Sequence, residues 1–289
     1  MSIGSGMTHL GGYPFEVRYS KGALVRARAA ADVAADAFNY FSRLFSGFEP
    51  DIAVIVANQA DWESRQPYGL PFFNDDDGQV RPGIVVMPAE SGDFWIAMGQ
   101  DLHDASSSGY ARLLTTYPDG EGRLNLQPFF DLVTIHELGH AFEVLGDLRL
   151  PTFWLSEIFV NLALHAFVAT RQPESLNTLE EISIVGAQST RLDDRMRAEG
   201  YSTLEDLEAH YTGGGDPMNA LNYVWYQYRW QRLAAAMFDT DGEDGLVHFW
   251  NYFHAIDRFN VDEVTTTSLG SVLRTEVSET LGRAVLDWR

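Results

Sequence analysis

Gln127-Pro-Phe-Phe-Asp-Leu-Val-Thr-Ile-His-Glu-Leu-Gly-His-Ala-Phe-Glu-Val-Leu-Gly146 is the stretch on which the reading of this chain turns. Pro128 stands in the first turn and Gly146 closes the run, the ordinary punctuation of a helix. His136 and His140 lie four residues apart, so on a helix they share one face about 6 Å apart along the axis. Both imidazoles can then reach one metal ion, and Glu137 between them is angled to act on water at that ion. The H-E-x-x-H pattern alone can arise by coincidence. Its surroundings decide.

Working outward, the next helix is expected to begin near Pro151. So short a link favours an antiparallel helix pair. His140 lies six residues before Gly146 and Glu157 six after Pro151. At 1.5 Å per residue each sits about 9 Å from the connection, so the two can face each other. Trp154-Leu-Ser-Glu-Ile-Phe-Val-Asn-Leu-Ala-Leu-His-Ala-Phe-Val168 is apolar nearly all round, as a buried helix should be. Glu157, Asn161 and His165 form its one polar stripe, at i, i+4 and i+8. A buried carboxylate needs a cation, and a metal held with His136 and His140 would supply it. The bland alternative is an arginine partner, Arg149 or Arg171. His165 is expected to be structural.

With Glu157 added, the chain resembles the gluzincin metallopeptidases, which take a third zinc ligand, a glutamate, from the following helix. His136, Glu137 and His140 match the first motif, and Trp154-Leu-Ser-Glu157 resembles the W-L-x-E sequence of the aminopeptidase branch. The resemblance spans about 128–238 and implies one Zn²⁺ on His136, His140 and Glu157. Thermolysin-type members orient a histidine with an aspartate four residues after that glutamate. Asn161 occupies the place here, and its carbonyl oxygen can accept from an imidazole N–H. Many gluzincins carry a tyrosine in a Y-x-x-G-type segment, which Tyr223-Val-Trp-Tyr226 resembles without the glycine. That implies Tyr223, with Tyr226 as alternative, as the hydroxyl that stabilises an oxyanion. His210 is a lesser candidate. The metzincin pattern fails, because Glu143 and Gly146 stand where glycine and a third histidine are needed.

On the N-terminal side, Gly22 to Phe45 reads as an amphipathic helix and Asp51-Ile-Ala-Val-Ile-Val-Ala-Asn58 as a strand, with a short extended piece at Phe15–Tyr19. Tyr68–Phe73 and Arg81–Met87 are expected to form a hairpin around the turn Asn74-Asp-Asp-Asp-Gly78. Pro71 cannot donate to a ladder, which marks a sheet edge or a loop. An edge strand at about 68–73 would offer Gly69, Leu70, Pro71 and Phe72 to the backbone of a peptide. The aspartates fail the calcium-loop spacing and read as a solvated turn.

Residues 88–126 show no clean period. Beyond them helices are expected over 128–145, 152–170, 175–198, 203–211, 217–238, 244–256 and 267–286, with a capping box at Ser202-Thr-Leu-Glu205. The fold class is therefore α+β. A small N-terminal α/β lobe (1–125), with a mixed sheet and an exposed edge strand, precedes a mainly helical catalytic lobe (126–289), with the zinc site in the cleft between them.

The 289 residues carry a net charge of −21 and a pI near 4.6, which argues against binding nucleic acid or anionic lipid. With no cysteine, disulfides, thiol nucleophiles and thiolate metal sites are excluded. A zinc ion must then be held by His, Asp or Glu, as in catalytic sites. The first residues show no signal-peptide pattern, and the apolar run Ile158–Ala169 is too short to span a bilayer. A soluble cytoplasmic protein is the expectation.

These readings converge on a zinc-dependent peptidase acting on peptide or protein substrates, with Glu137 as general base. The resemblance at Trp154 is to aminopeptidases, yet their G-x-M-E-N strand is missing, which favours endopeptidase or oligopeptidase action. A non-catalytic zinc-stabilised scaffold is the rival from another class, and a metal-dependent hydrolase of non-peptide bonds uses the same residues.

Overall fold

A computed structural model describes residues 6–62, 67–74, 82–212, 220–256 and 264–288. The class is α+β as read, with a five-stranded mixed sheet near the N-terminus and a largely helical remainder. In chain order the elements are β1 (Thr8–His9), β2 (Glu16–Tyr19), α1 (Leu24–Leu44), β3 (Ile52–Ala57), β4 (Phe72–Asn74), β5 (Gly83–Pro88), α2 (Asp93–Ala105) and α3 (Ser107–Thr116). There follow α4 (Gln127–Leu145), α5 (Phe153–Arg171), α6 (Leu176–Ala187), α7 (Thr190–Ala198), α8 (Leu204–Thr212), α9 (Ala220–Ala255), α10 (Thr266–Val272) and α11 (Glu279–Leu286).

By packing, the chain divides into two compact units. One comprises 1–100 with 117–146, the other 101–116 with 147–289. The H-E-x-x-H helix thus counts with the sheet, where composition alone groups it with the helices.

In the first unit the strand order is β1-β2-β3-β5-β4. β2, β3 and β5 run parallel, and β1 and β4 pair antiparallel at the two edges. β3 is buried along its whole length, which explains its unbroken β-branched run. One side of the sheet, Val56 and Met87, meets Ala23, Ala27 and Ala30, whose small side chains let α1 lie close. Against the other side, Ile55, Ala57 and Val86 pack with Trp62 and Phe72. α1 joins α4 through an aromatic cluster: the rings of Phe38, Phe41 and Phe45 lie 5.4, 5.5 and 5.8 Å from that of Phe142. The Arg26 guanidinium grips both oxygens of Asp131, fixing α4 along its axis.

The second unit is built around α5. Fourteen of its residues, Trp154 to Val168 apart from Ser156, are buried, and α6, α8 and α9 pack on it. α5 is long and apolar enough to cross a membrane, but 78% of its most apolar window is covered by the protein itself. Gly186 of α6 lies so close to α9 that a Cβ there would come within 2.1 Å of the Tyr228 ring. Glycine is what permits that approach.

Several expectations need correction. Residues 88–126 contain two helices, α2 and α3. Trp95, Met98 and Leu102 are buried at i, i+3 and i+7, a helical spacing obscured by the glycines and serines around it. The helix expected over 175–198 is two, because Ser189 caps α7 by accepting from the Leu192 N–H. Likewise 267–286 is divided by a π-helical turn, Leu273–Val277, and by Ser278, which caps α11. Gly242, with φ 61° and ψ −152°, breaks α9 where a gap between two helices is expected. The capping box sits one residue later than read. Thr203 accepts from the Asp206 N–H, and Asp206 accepts from the Ser202 and Thr203 N–H groups. Pro151 precedes the N-cap Thr152 and so lies just outside the helix. The turn after Asn74, and the stretch from Gly213 to Pro217, lie outside the described residues.

Candidate metal centre

α4 places His136 and His140 on one face, their rings 5.0 Å apart and nearly perpendicular. The spacing of four residues accounts for this without help from the rest of the fold. His136 is buried and His140 half-buried. Glu157, from the second turn of α5, is 2% exposed. One ligand atom from each of His136, His140 and Glu157 can be chosen such that all lie within 4.8 Å of one another. This buried group could hold a metal ion. Three donors around one point, two imidazole nitrogens and a carboxylate oxygen, suit a divalent cation that accepts nitrogen and oxygen ligands.

Two of the three donors have an identifiable support. His140 Nδ1 lies 3.0 Å from Glu143 Oε2, one turn on. A carboxylate can only accept, so Nδ1 carries the proton and Nε2 keeps its lone pair for a ligand. Glu143 is 7% exposed and was not singled out in the sequence. The signal was its i+3 position from His140.

Glu157 is held from α9. Gln227 Nε2 donates to Glu157 Oε2 at 2.6 Å and to the Tyr223 hydroxyl at 2.6 Å. Asn161 Nδ2 donates to Gln227 Oε1 and to the Glu157 main-chain carbonyl, each at 2.8 Å. The expected role of Asn161, accepting from an imidazole, is therefore corrected: it donates, and to a glutamine. Arg149, one arginine weighed as a partner for Glu157, holds Asp147 and the Ile256 carbonyl. The N-terminus of α5 is capped from α8, where both Glu208 oxygens accept from the Phe153 N–H. Burial raises the Glu208 carboxyl above its usual range, against the pull of the Phe153 and Trp154 N–H groups.

The two tyrosine candidates separate. Tyr223 is half-buried, beside Gln227 and 6.2 Å from the Tyr211 ring. Tyr226 is fully buried among Trp225, Trp230 and Trp288, and its hydroxyl donates to the Thr203 carbonyl. Burial pushes that phenol well above its ordinary range. Tyr226 is a packing residue. His210 lies against Tyr201, outside the ligand group.

On the sheet side, β4 is an edge strand, but it begins only at Phe72. Gly69 and Leu70 lie in the turn before it, and the Gly69 carbonyl accepts from Trp95 Nε1. The Phe73 N–H donates to Glu137 Oε2 at 2.9 Å. Neighbouring residues of a strand send their backbone groups to opposite sides. Phe73 therefore faces the open edge, and Phe72 and Asn74 face β5. Of the stretch 69–72, Gly69 and Leu70 are thus not on the strand, Phe72 points its backbone into the sheet, and Pro71 has the same parity as Phe73.

His165, the third polar residue of the α5 stripe, stands apart from the ligand group. It is 2% exposed, with Gln231 at 3.3 Å, Glu180 at 3.8 Å and the Phe238 ring beside it. Burial pushes its pKa down to about 4, against the attraction of Asp239 and with the repulsion of Arg232. An unfolded chain takes up this proton near 6.5, the native chain only near 4. The stability His165 brings is thus full above about pH 6.5, falls away progressively below that, and is gone once pH has fallen through about 4. The loss is about 3 kcal/mol. Urea unfolding at pH 7 and pH 4.5 should show His165→Gln losing less stability than wild type over that interval. Equal losses would show that the imidazole does not titrate as a buried base.

Comparison with protein-family models, with curated proteins and with solved structures finds no match.

Proposed function

We propose that this chain is a zinc-dependent peptidase of the gluzincin kind. The observation that carries the reading is the convergence of His136, His140 and Glu157 within 4.8 Å, with a second carboxylate, Glu137, one residue from the first ligand. His136 Nε2 or Nδ1, His140 Nε2 and a Glu157 oxygen would hold the ion, leaving room for substrate as catalytic sites require. When bound, the ion would supply Lewis-acid polarisation of a carbonyl and a more acidic water.

The chain's own groups account for the remaining chemistry. Glu137 takes a proton from the attacking water and passes it to the leaving amine. The Phe73 N–H holds its carboxylate, so the base is aimed by the same edge strand that meets substrate. The Phe73 carbonyl, on the open side of β4, pairs with the main chain of an extended peptide, and Pro71 just before the strand has the same parity. Tyr223 accepts from Gln227, and its hydroxyl would donate to the carbonyl oxygen as charge develops there. Glu137 also weighs against a purely structural metal site, which has no use for a base beside its ligands.

Metal analysis of the purified protein, paired with cleavage of a peptide library, tests this. One equivalent of zinc and cleavage that chelation abolishes are expected. Cleavage of N-acetylated peptides would mark an endopeptidase or oligopeptidase, and strict dependence on a free amino terminus an aminopeptidase. Absence of both zinc and cleavage overturns the reading.

A further inference from the structure

We propose that Gln227 is the positioning residue of this centre: its one amide holds both the Glu157 carboxylate and the Tyr223 hydroxyl, and Asn161 accommodates that amide in the one orientation that does so. The proposal rests on the reading of His136, His140 and Glu157 as a metal site.

The orientation follows from donors and acceptors alone. Asn161 faces the main-chain carbonyl of Glu157 at 2.8 Å, and a carbonyl can only accept, so the facing atom is Nδ2. The same Nδ2 lies 2.8 Å from Gln227, whose facing atom must therefore be an oxygen. That turns Gln227 Nε2 towards the Glu157 carboxylate, which can also only accept. Reading the chain from the carboxylate end gives the same answer. Both hydrogens of Nε2 are then in use, one on Glu157 and one on Tyr223. No other arrangement satisfies all four contacts.

Two consequences follow. A carboxylate 2% exposed has its ligating oxygen set by a donor on a different helix, so α9 fixes the third ligand as firmly as α5 does. Tyr223 is one turn before Gln227 on α9, so the same bond ties the hydroxyl to the ligand. Partners of this kind typically change metal affinity by about 10–100-fold when removed.

Three variants separate this from simple packing. Gln227→Leu keeps the bulk and removes the donor. Asn161→Ala removes the lock but leaves the Glu157 carboxylate to keep Nε2 in place. Asn161→Asp reverses the lock: an acceptor there draws Nε2 towards residue 161 and turns Oε1 onto Glu157. The measurements are Zn²⁺ affinity by chelator competition and the visible absorption of the Co²⁺-loaded protein, with circular dichroism to confirm the fold. Gln227→Leu and Asn161→Asp should each bind Zn²⁺ about 10–100-fold more weakly and change the Co²⁺ spectrum, while Asn161→Ala changes little. Packing alone predicts the reverse order for the two Asn161 variants, since Asp fills the space that Ala empties.

If Gln227→Leu binds as wild type does, with the same spectrum, the proposal is wrong and the metal site stands. Where Gln227→Leu does not fold, Asn161→Asp binding no more weakly than Asn161→Ala overturns it equally. A wild-type protein that takes up neither ion removes the metal reading itself.

Discussion

Glu137→Gln is expected to cut peptide hydrolysis by about 10²–10⁴-fold while Zn²⁺ binds as in wild type. The substitution is close to isosteric. A glutamine oxygen still accepts the Phe73 N–H that Glu137 Oε2 receives at 2.9 Å, so the edge strand keeps its hold on residue 137. His136 and His140 stay on the same face of α4. What disappears is the capacity to take a proton from water and return it to the leaving nitrogen. Activity and metal content should therefore part company, and that parting distinguishes a base from a ligand. The check is kcat on one peptide selected from the library, alongside zinc content. Full activity with stoichiometric zinc would remove Glu137 from the chemistry.

The parts of this protein legible in its sequence are those that depend on local spacing. His136, Glu137 and His140 need only the helical period, and Glu157 needs only a short link and a second helix read as buried. α1, β3, α4 and α5 carry long, unmixed patterns, and their bounds fall within two residues of expectation. α2 and α3 carry the same period, but Gly99, Gly109 and the serines 106–108 dilute it below notice. What could not be read is whatever depends on a partner far along the chain. Gln227 meets Glu157 across 70 positions, and nothing in either neighbourhood announces it. The Phe73 N–H is a backbone group, so no side-chain pattern can encode its bond to Glu137, 64 residues away. Tyr223 and Tyr226 are separable only once the helix phase is fixed. Three residues apart, one turns to Gln227 and the other into a cluster of tryptophans.

Glu157→Leu should abolish the response to zinc and yet melt no lower than zinc-free wild type. A carboxylate 2% exposed has left water, and the desolvation it suffers is offset by the Gln227 donor and, in the loaded protein, by the ion. Without the ion that part of the compensation is lost. Leucine at 157 removes the charge and adds an apolar side chain to a helix whose other buried residues are mostly apolar. For wild type, free Zn²⁺ at about 1,000 times its Kd adds about 4 kcal/mol to the native state, since the unfolded chain lacks the site. In a chain of this size that raises Tm by several degrees. The measurement is Tm with excess Zn²⁺ and with chelator, for both proteins. Wild type should show the rise, and Glu157→Leu a single Tm at or above that of chelated wild type. A variant still stabilised by zinc would show that Glu157 is not a ligand. One that melts well below chelated wild type would show that its carboxylate belongs to the structure of α5 and α9 before it belongs to a metal.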